Sequence, residues 1–358
     1  MNIAIVGATG NVGRKIIEVL EKKNFPITEL YLLASSKSEG KKINFKDKEL
    51  AVIDLEKFDF SKVKIAFFAA GSAIAEKWAN LAAEKTIVID NSKFFRKDPD
   101  VPLIVPEVNS KDLVNVKNKN IIANANCSVI PLVVALKPLH DLYNVKRIVV
   151  STYQSVSGAG KAPMDELLSQ TKEYFDNKNL ESKYFTKQIA FNIIPHIDSF
   201  LDNGYTKEEQ KTTDEVKKIL DKKIKITSTC VRIPVLVSHS ISVNIEFNKK
   251  YNLEEIKNEL INFSNRSLKR GKKVKIMYNT DLLLTTLSEN ADFHYREKEK
   301  LFEIEHELLT EEQRIILKRK MQNYSNKEIA DEIGCSKGSL KNKFRQIIKL
   351  LREANADE

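Results

Sequence analysis

The chain is predicted to be an α/β protein, with a doubly wound parallel sheet first, a mixed α+β region second and a small all-α tail last. Three observations predict this. Short apolar strands alternate with helical patterns through the first 126 residues, the pattern of a parallel sheet flanked by helices. From about residue 145 the strands lengthen and become rich in Val, Ile, Ser and Thr, as in a second, mixed sheet. From Arg296 onward the sequence is nearly all helical in pattern.

The elements follow in order. Strands are expected over 3–6, 30–34, 65–70, 87–90 and 121–123, and helices over 11–22 and 73–84, where apolar residues recur at helical spacing. The second sheet is expected from 147–153, 224–231 and 240–247. Between the two sheets, Asn124-Ala125-Asn126-Cys127-Ser128 runs straight into an apolar-rich helical stretch over 129–142. The expected domains are 1–126 and 127–263, followed by a connector over 264–300 and a helical tail over 301–358.

A chain of 358 residues, 42% hydrophobic and 30% charged, is expected to be soluble and to hold two or three domains. No apolar run approaches the roughly 18 residues of a membrane-spanning helix. The N-terminus opens on a strand-like run and not on a basic then apolar leader. Three widely separated cysteines, Cys127, Cys230 and Cys335, fit a reducing cytoplasm and argue against a disulfide framework. Five histidines scattered singly, with no CxxC or HxxxH, give no expectation of a metal site. The net charge of +10 fits anionic ligands or nucleic acid, or a compositional bias of the genome, and does not choose among them.

Chemistry is expected first at Cys127. A thiolate is the nucleophilic form of cysteine, and a helix N-terminus favours negative charge, so this placement is expected to lower the thiol pKa. The competing reading is a small buried hydrophobe. A nucleotide site is expected at Gly7-Ala8-Thr9-Gly10-Asn11-Val12-Gly13, where glycines between the first strand and first helix let backbone approach a pyrophosphate. The second strand ends in Ala34-Ser35-Ser36-Lys37, with hydroxyls and a cation where NAD enzymes carry an acid. That composition favours NADP, although Lys37 also reads as an ordinary solvated lysine.

Further motifs stand in register with these: Asn91-Ser92 with Phe95-Arg96, Val105-Pro106-Glu107-Val108-Asn109, Tyr153-Gln154-Ser155-Val156-Ser157-Gly158-Ala159-Gly160, and Cys230-Val231-Arg232-Ile233-Pro234-Val235 with Ser238-His239-Ser240. Together they resemble aspartate-semialdehyde dehydrogenase from residue 1 to about 263, which implies a Rossmann-type domain followed by a catalytic and dimerisation domain. The resemblance implies Cys127 as nucleophile on the acyl phosphate, His239 as general acid/base, and Gln154 as the residue orienting substrate over the thiol. It implies Arg232 on the substrate α-carboxylate, Glu208 facing the α-amino group, Arg96 and Lys211 at the phosphate, and Asn126 at the substrate. Taken alone, Glu208 and Lys211 read equally as a solvated helix face. It further implies NADP(H) bound through Gly7, Thr9, Gly10, Asn11, Val12, Ser35, Ser36, Lys37, Gly71, Ser157 and Gly158, and a homodimer.

Beyond residue 263 nothing resembles the family's last segment, which carries a motif like DNLRKGAA, so the second sheet is expected to lack its closing part. The tail instead carries Thr310 with Gln313 and Ser325 with Glu328 as capping boxes, Gly334 as a helix end and Ser336 as the next cap. It resembles the helix-turn-helix of sigma-factor region 4 and LuxR-type regulators. That resemblance implies DNA contacts through Lys337, Lys341, Lys343 and Arg345. A small helical bundle is the plainer alternative. Three other readings stay open: an N-acetyl-glutamyl-phosphate reductase, against which Glu208 argues, a regulator with an inactive dehydrogenase part, and a defective chimera.

Overall fold

The structure, a computed structural model, describes residues 1–176, 179–269, 275–278, 284–287, 310–321, 326–336, 338–340, 342–344 and 346–347. The chain divides into two compact units, Met1–Ser288 and Glu289–Glu358.

The first unit opens with β1 (Ile3–Val6), α1 (Asn11–Lys22), β2 (Leu30–Ala34), β3 (Lys42–Phe45), β4 (Lys48–Asp54), β5 (Ile65–Phe68), α2 (Ser72–Ala83), β6 (Ile87–Asp90), β7 (Leu103–Ile104), α3 (Pro106–Asn109) and β8 (Ile121–Asn124). These strands form one sheet in the order β3-β4-β2-β1-β5-β6-β8-β7. All neighbours are parallel except β3 and β4. Alternate residues of β1 serve opposite faces: Ile3 and Ile5 join α1 residues Ile17 and Leu20, while Ala4 and Val6 join α2 residues Ala75, Ala79 and Ala82. The sheet therefore needs a helix on each side, and the alternation of strands and helices supplies both.

The order places β1 at the centre, so the turn after it opens at the carboxyl edge of the sheet. Gly7 there has φ +86°, and a Cβ on it would stand 2.8 Å from the Ala69 backbone. Gly13, on α1, is tighter: its Cβ would stand 2.2 Å from the Gly7 carbonyl oxygen. Two of the glycines in the fingerprint are thus required by backbone packing itself.

The second part follows with α4 (Val129–Tyr143), β9 (Val145–Gln154), α5 (Lys161–Phe175), α6 (Lys207–Ile219), β10 (Lys225–Arg232), β11 (His239–Phe247), α7 (Leu253–Lys269), β12 (Lys275–Tyr278) and β13 (Leu284–Leu287). Its sheet runs β10-β9-β11-β13-β12. Two expectations are corrected here. The stretch 264–300 is not simply a connector, because α7 continues to Lys269 and both β12 and β13 lie within it. Nor does the sheet stop at β11: β13 pairs antiparallel with it, Ile241 opposite Thr286, and β12 pairs with β13. Each of these strands mixes polar with apolar residues in four positions and so lacks the apolar run that marks β1 at the same length.

α6 is fixed by a capping box that sequence inspection had passed over. Thr206 Oγ1 accepts from the Glu209 amide, and the Glu209 carboxylate accepts from the Thr206 amide at 2.7 Å and from the Cys230 amide at 3.0 Å. The cap therefore ties α6 to β10 as well as starting the helix.

The second unit contains α8 (Glu311–Met321) and α9 (Asn326–Glu332). Thr310 and Gln313 cap α8 reciprocally. Gly334, at φ +67°, follows α9, and Ser336 Oγ accepts from the Ser339 amide at the start of the next helical residues. Ile316, Ile329, Ala330, Leu340 and Ile347 form its core, with Cys335 packed against it. Of the residues implied in DNA contact, Lys343 pairs with Glu312, while Lys337, Lys341 and Arg345 lie outside the described residues, as does Ser325 of the second expected capping box.

Replacing Gly13 with Ala is expected to destabilise the protein by about 2 kcal/mol or more, since backbone must move to admit the methyl group. Urea unfolding followed by circular dichroism checks this; an unchanged midpoint would contradict it.

Candidate active site

The carboxyl ends of β9 and β10 and the amino end of the antiparallel β11 assemble one wall of a cleft of about 580 Å³. In the register of the second sheet Gln154, the last residue of β9, stands opposite Arg232, the last of β10, and opposite His239, the first of β11. Strand pairing alone thus collects three side chains that are far apart in sequence. The opposite wall is the segment between β8 and α4, where Cys127 lies just before Ser128, the residue preceding that helix.

Cys127 Sγ lies 3.2 Å from His239 Nε2. The other ring nitrogen, Nδ1, sits between the Ser155 amide N–H at 3.0 Å and the Ser238 carbonyl at 2.9 Å. The ring can therefore hold its proton on either nitrogen, presenting to sulfur either a lone pair or an N–H, the two states an acid/base must alternate between. Ser238 reaches this position with φ +88°, a left-handed backbone conformation that a non-glycine residue seldom adopts.

The expected lowering of the thiol pKa is overturned. Enclosure by the cleft walls pushes the Cys127 pKa up, and the Glu208 carboxylate adds to this. Arg96 and the amides of Ser128 and Cys127 pull the other way, so the helix end acts in the expected direction and is outweighed. Burial also lowers the His239 pKa, with Arg232 contributing. Both shifts favour the uncharged forms, a thiol beside an imidazole.

α6 brings the next group. Glu208 accepts from Asn126 Nδ2 at 2.8 Å, Gln154 Nε2 at 3.3 Å and Lys211 Nζ at 3.0 Å. Burial raises its pKa, but Lys211 and these amide donors outweigh it and hold the carboxylate ionised. Lys211 also pairs with Asp198 at 2.9 Å. Arg96 donates to Glu215 at 3.1 Å and to the Asn91 carbonyl at 3.2 Å, leaving its Nε buried with no partner. Arg232, largely buried, donates to the Ser155 carbonyl at 2.6 Å. Gln154 Oε1 is buried and has no partner. These orphaned polar atoms mark places where a polar ligand completes the hydrogen bonding.

The cleft is lined by Cys127, Gln154, Arg96, Asn126, Glu208, Lys211 and Arg232 of the expected catalytic and substrate residues, and by Val12, Gly71, Ser157 and Gly158 of the expected cofactor residues. His239 reaches it through the sulfur contact. A second cavity of about 540 Å³ at the carboxyl edge of the first sheet is lined by Gly7, Thr9, Gly10, Ser35 and Ser36. Lys37 is exposed and does not line either cavity, which leaves the turn's hydroxyls and not its cation facing the space. Asn11 also lies off both linings, its amide 4.0 Å from the Met164 sulfur. Sequence reasoning missed Asp54, Ile74 and Trp78 in this cavity, and Asp198, Lys93 and Glu215 around the cleft. Only Glu215 left a usable signal, its helical spacing from Glu208 and Lys211.

A dinucleotide-type sheet joined to a cleft that pairs a cysteine with a histidine defines a thiol-dependent oxidoreductase. Residues 2–116 match the semialdehyde dehydrogenase NAD binding domain, and residues 136–292 the semialdehyde dehydrogenase dimerisation domain. The chain is 49% identical to aspartate-semialdehyde dehydrogenase 2 of Vibrio cholerae over 272 residues, covering 75% of this chain and 81% of that one. It is 51% identical to the aspartate-semialdehyde dehydrogenase of Aquifex aeolicus over 264 residues, 73% of this chain and 78% of that one. The crystal structure of the Vibrio cholerae aspartate semialdehyde dehydrogenase II superposes with a TM-score of 0.75 at 40% identity, covering 85% of this chain and 99% of that chain. The chain belongs to the aspartate-semialdehyde dehydrogenase family.

Cys127 is open to solvent on one side while the crowding cleft walls push its pKa up, so its alkylation by iodoacetamide is expected to keep accelerating from about pH 7 through about pH 9, above the ordinary thiol range. A rate that levels off below about pH 8 would contradict that upward shift. Cys230, whose pKa burial pushes up to about 11, will not interfere, and a Cys127→Ala control removes any signal from Cys335.

Proposed function

We propose that this chain is an NADP-dependent aspartate-semialdehyde dehydrogenase, reducing L-aspartyl 4-phosphate to L-aspartate 4-semialdehyde with release of inorganic phosphate. The 3.2 Å contact between Cys127 Sγ and His239 Nε2, inside a cleft that also holds Arg96, Lys211, Glu208 and Arg232, carries this reading. Family membership and relatives at about half identity support it.

His239 takes the Sγ–H proton, and the thiolate forms a bond to the acyl carbon as the bond from that carbon to the phosphate oxygen breaks. The same imidazolium protonates the departing phosphate, leaving a thioester on Cys127. NADPH, held by the residues of the first-sheet cavity, would supply the hydride for the thioester carbon. The carbon–sulfur bond then breaks, the aldehyde leaves, and His239 returns a solvent proton to sulfur. Arg232 holds the α-carboxylate, Glu208 the α-ammonium, and Arg96 with Lys211 the phosphate, each by charge-assisted hydrogen bonds. Gln154 and Asn126 orient the acyl group.

The residues fit a dinucleotide. α1 begins at Asn11 after Gly10, which offers no side-chain cap, so its first amides are available to an anion, and Gly7 keeps side-chain atoms out of the turn. Ser35 and Ser36, with Ala34 in the place of an acid, suit a 2′-phosphate. A cytoplasmic setting fits three free thiols, and no helix among the described residues is long and apolar enough to cross a membrane. The match to a dimerisation domain supports pairing of two copies through the second part.

A second reading concerns the tail. The helix ends around Gly334 and their buried cluster fit a small helical bundle, of which a helix-turn-helix that binds duplex DNA is one form. Fluorescence anisotropy of a labelled duplex with the full chain tests it: binding that weakens steeply with salt supports it, and none at low salt removes it.

The principal test is NADPH formation from aspartate semialdehyde, NADP+ and phosphate by the full-length chain. Activity is expected to require phosphate and to vanish in Cys127→Ala. A folded chain that forms no NADPH, or a Cys127→Ala chain that keeps its activity, would overturn the assignment.

A further inference from the structure

Four charged side chains of α6, Glu208, Lys211, Glu215 and Lys218, recur at intervals of three, four and three residues and so share one face of the helix. The first two belong to the site as described. Glu215 is more buried than either, with its side chain 3% exposed. Both of its carboxylate oxygens are in use: Oε1 accepts from Arg96 Nη1 at 3.1 Å, and Oε2 accepts from the backbone N–H of Asn126 at 2.6 Å. One carboxylate therefore links the guanidinium in the cleft to the peptide that leads into Cys127.

Lys218 extends the same device by another helical turn. Its Nζ donates to the carbonyls of Arg96, Asp98 and Val101 at 2.9, 2.7 and 2.9 Å. An ammonium has three donors, and all three are spent on the loop that carries Arg96. Nothing in the chemistry assigned to Cys127 and His239 uses either residue.

We propose that Glu215, supported by Lys218, is a positioning residue that sets the distance between the phosphate-binding Arg96 and the Cys127 nucleophile. This rests on the function proposed above, and it assigns to the phosphate half of that site two residues beyond those the family resemblance implied. A glutamine at 215 offers one acceptor where two donors point at it, so Glu215→Gln must release either Arg96 or Asn126. Lys218→Met leaves three carbonyls without their donor and frees the loop.

Two measurements on the full chain separate positioning from general stability. In the phosphate-dependent direction, Glu215→Gln is expected to raise KM for phosphate about ten-fold or more while KM for NADP+ stays within about two-fold, and Lys218→Met to move in the same direction. Independently of turnover, the concentration of inorganic phosphate that protects Cys127 from iodoacetamide is expected to rise by a similar factor. A folded Glu215→Gln chain with unchanged phosphate KM, or with kcat lowered and both KM values unchanged, overturns the inference. Should that variant not fold, an unchanged phosphate KM in Lys218→Met overturns it. If the unsubstituted chain shows no activity, the functional reading itself fails, and phosphate protection of Cys127 still decides between positioning and none.

Discussion

Asn126 is gripped by two buried carboxylates of one helix, and the geometry of the cleft depends on that grip. Its backbone N–H donates to Glu215 and its side-chain amide to Glu208, while its own Oδ1 accepts from the amide and hydroxyl of Ser128 at 2.9 and 2.8 Å. The residue before Cys127 is thus fixed on both sides, which limits the freedom of Cys127 itself. Two buried carboxylates are tolerable only because each has a cation, Lys211 for Glu208 and Arg96 for Glu215. Leaving either partner alone costs about 3–5 kcal/mol. The same cations are the groups proposed to bind phosphate, so under that proposal the interactions that hold the site together would also tune how strongly it binds an anion.

The second constraint is the register of the second sheet. Parallel pairing of β9 with β10 and antiparallel pairing of β9 with β11 bring Gln154, Arg232 and His239 to one edge. A slip of one residue in either pairing would turn each side chain to the other face. The Glu209 cap, reaching from α6 to the Cys230 amide, ties this edge to the helix that holds Asn126. Sheet and helix therefore position the two walls of the cleft through hydrogen bonds made by adjacent residues, Glu208 and Glu209.

Much of this was legible in the sequence, for specific reasons. The glycine turn could be read because Gly7 and Gly13 answer backbone sterics, which depend on few neighbours. The motifs around Cys127, Gln154, Arg232 and His239 could be read because each sits at an element end. The sign of the Cys127 pKa could not, since it is decided by cleft walls drawn from α6 and the second sheet and not by the local helix start. Lys37 keeps both of its readings, because a cation beside a turn looks the same in sequence whether it faces a cavity or solvent, and its exposed position off both linings favours the solvated one. The α6 stripe was visible as spacing, yet a run such as Lys207-Glu208-Glu209-Gln210-Lys211 matches a solvated face equally well until its burial is known. The strands β12 and β13 were missed because Lys275-Ile276-Met277-Tyr278 and Leu284-Thr285-Thr286-Leu287 mix polar and apolar residues, where β1, of the same length, is an unbroken apolar run.

Formation of a thioester on Cys127 is the central claim, and it is tested most directly in the absence of phosphate. Mixing the full chain with NADP+ and aspartate semialdehyde should give a single burst of NADPH, close to one per active site, with an acyl group on the Cys127 peptide seen by mass spectrometry. Added phosphate should then discharge the acyl group and start turnover. NADPH formed without any adduct on Cys127, or a burst that persists in Cys127→Ala, would contradict the account.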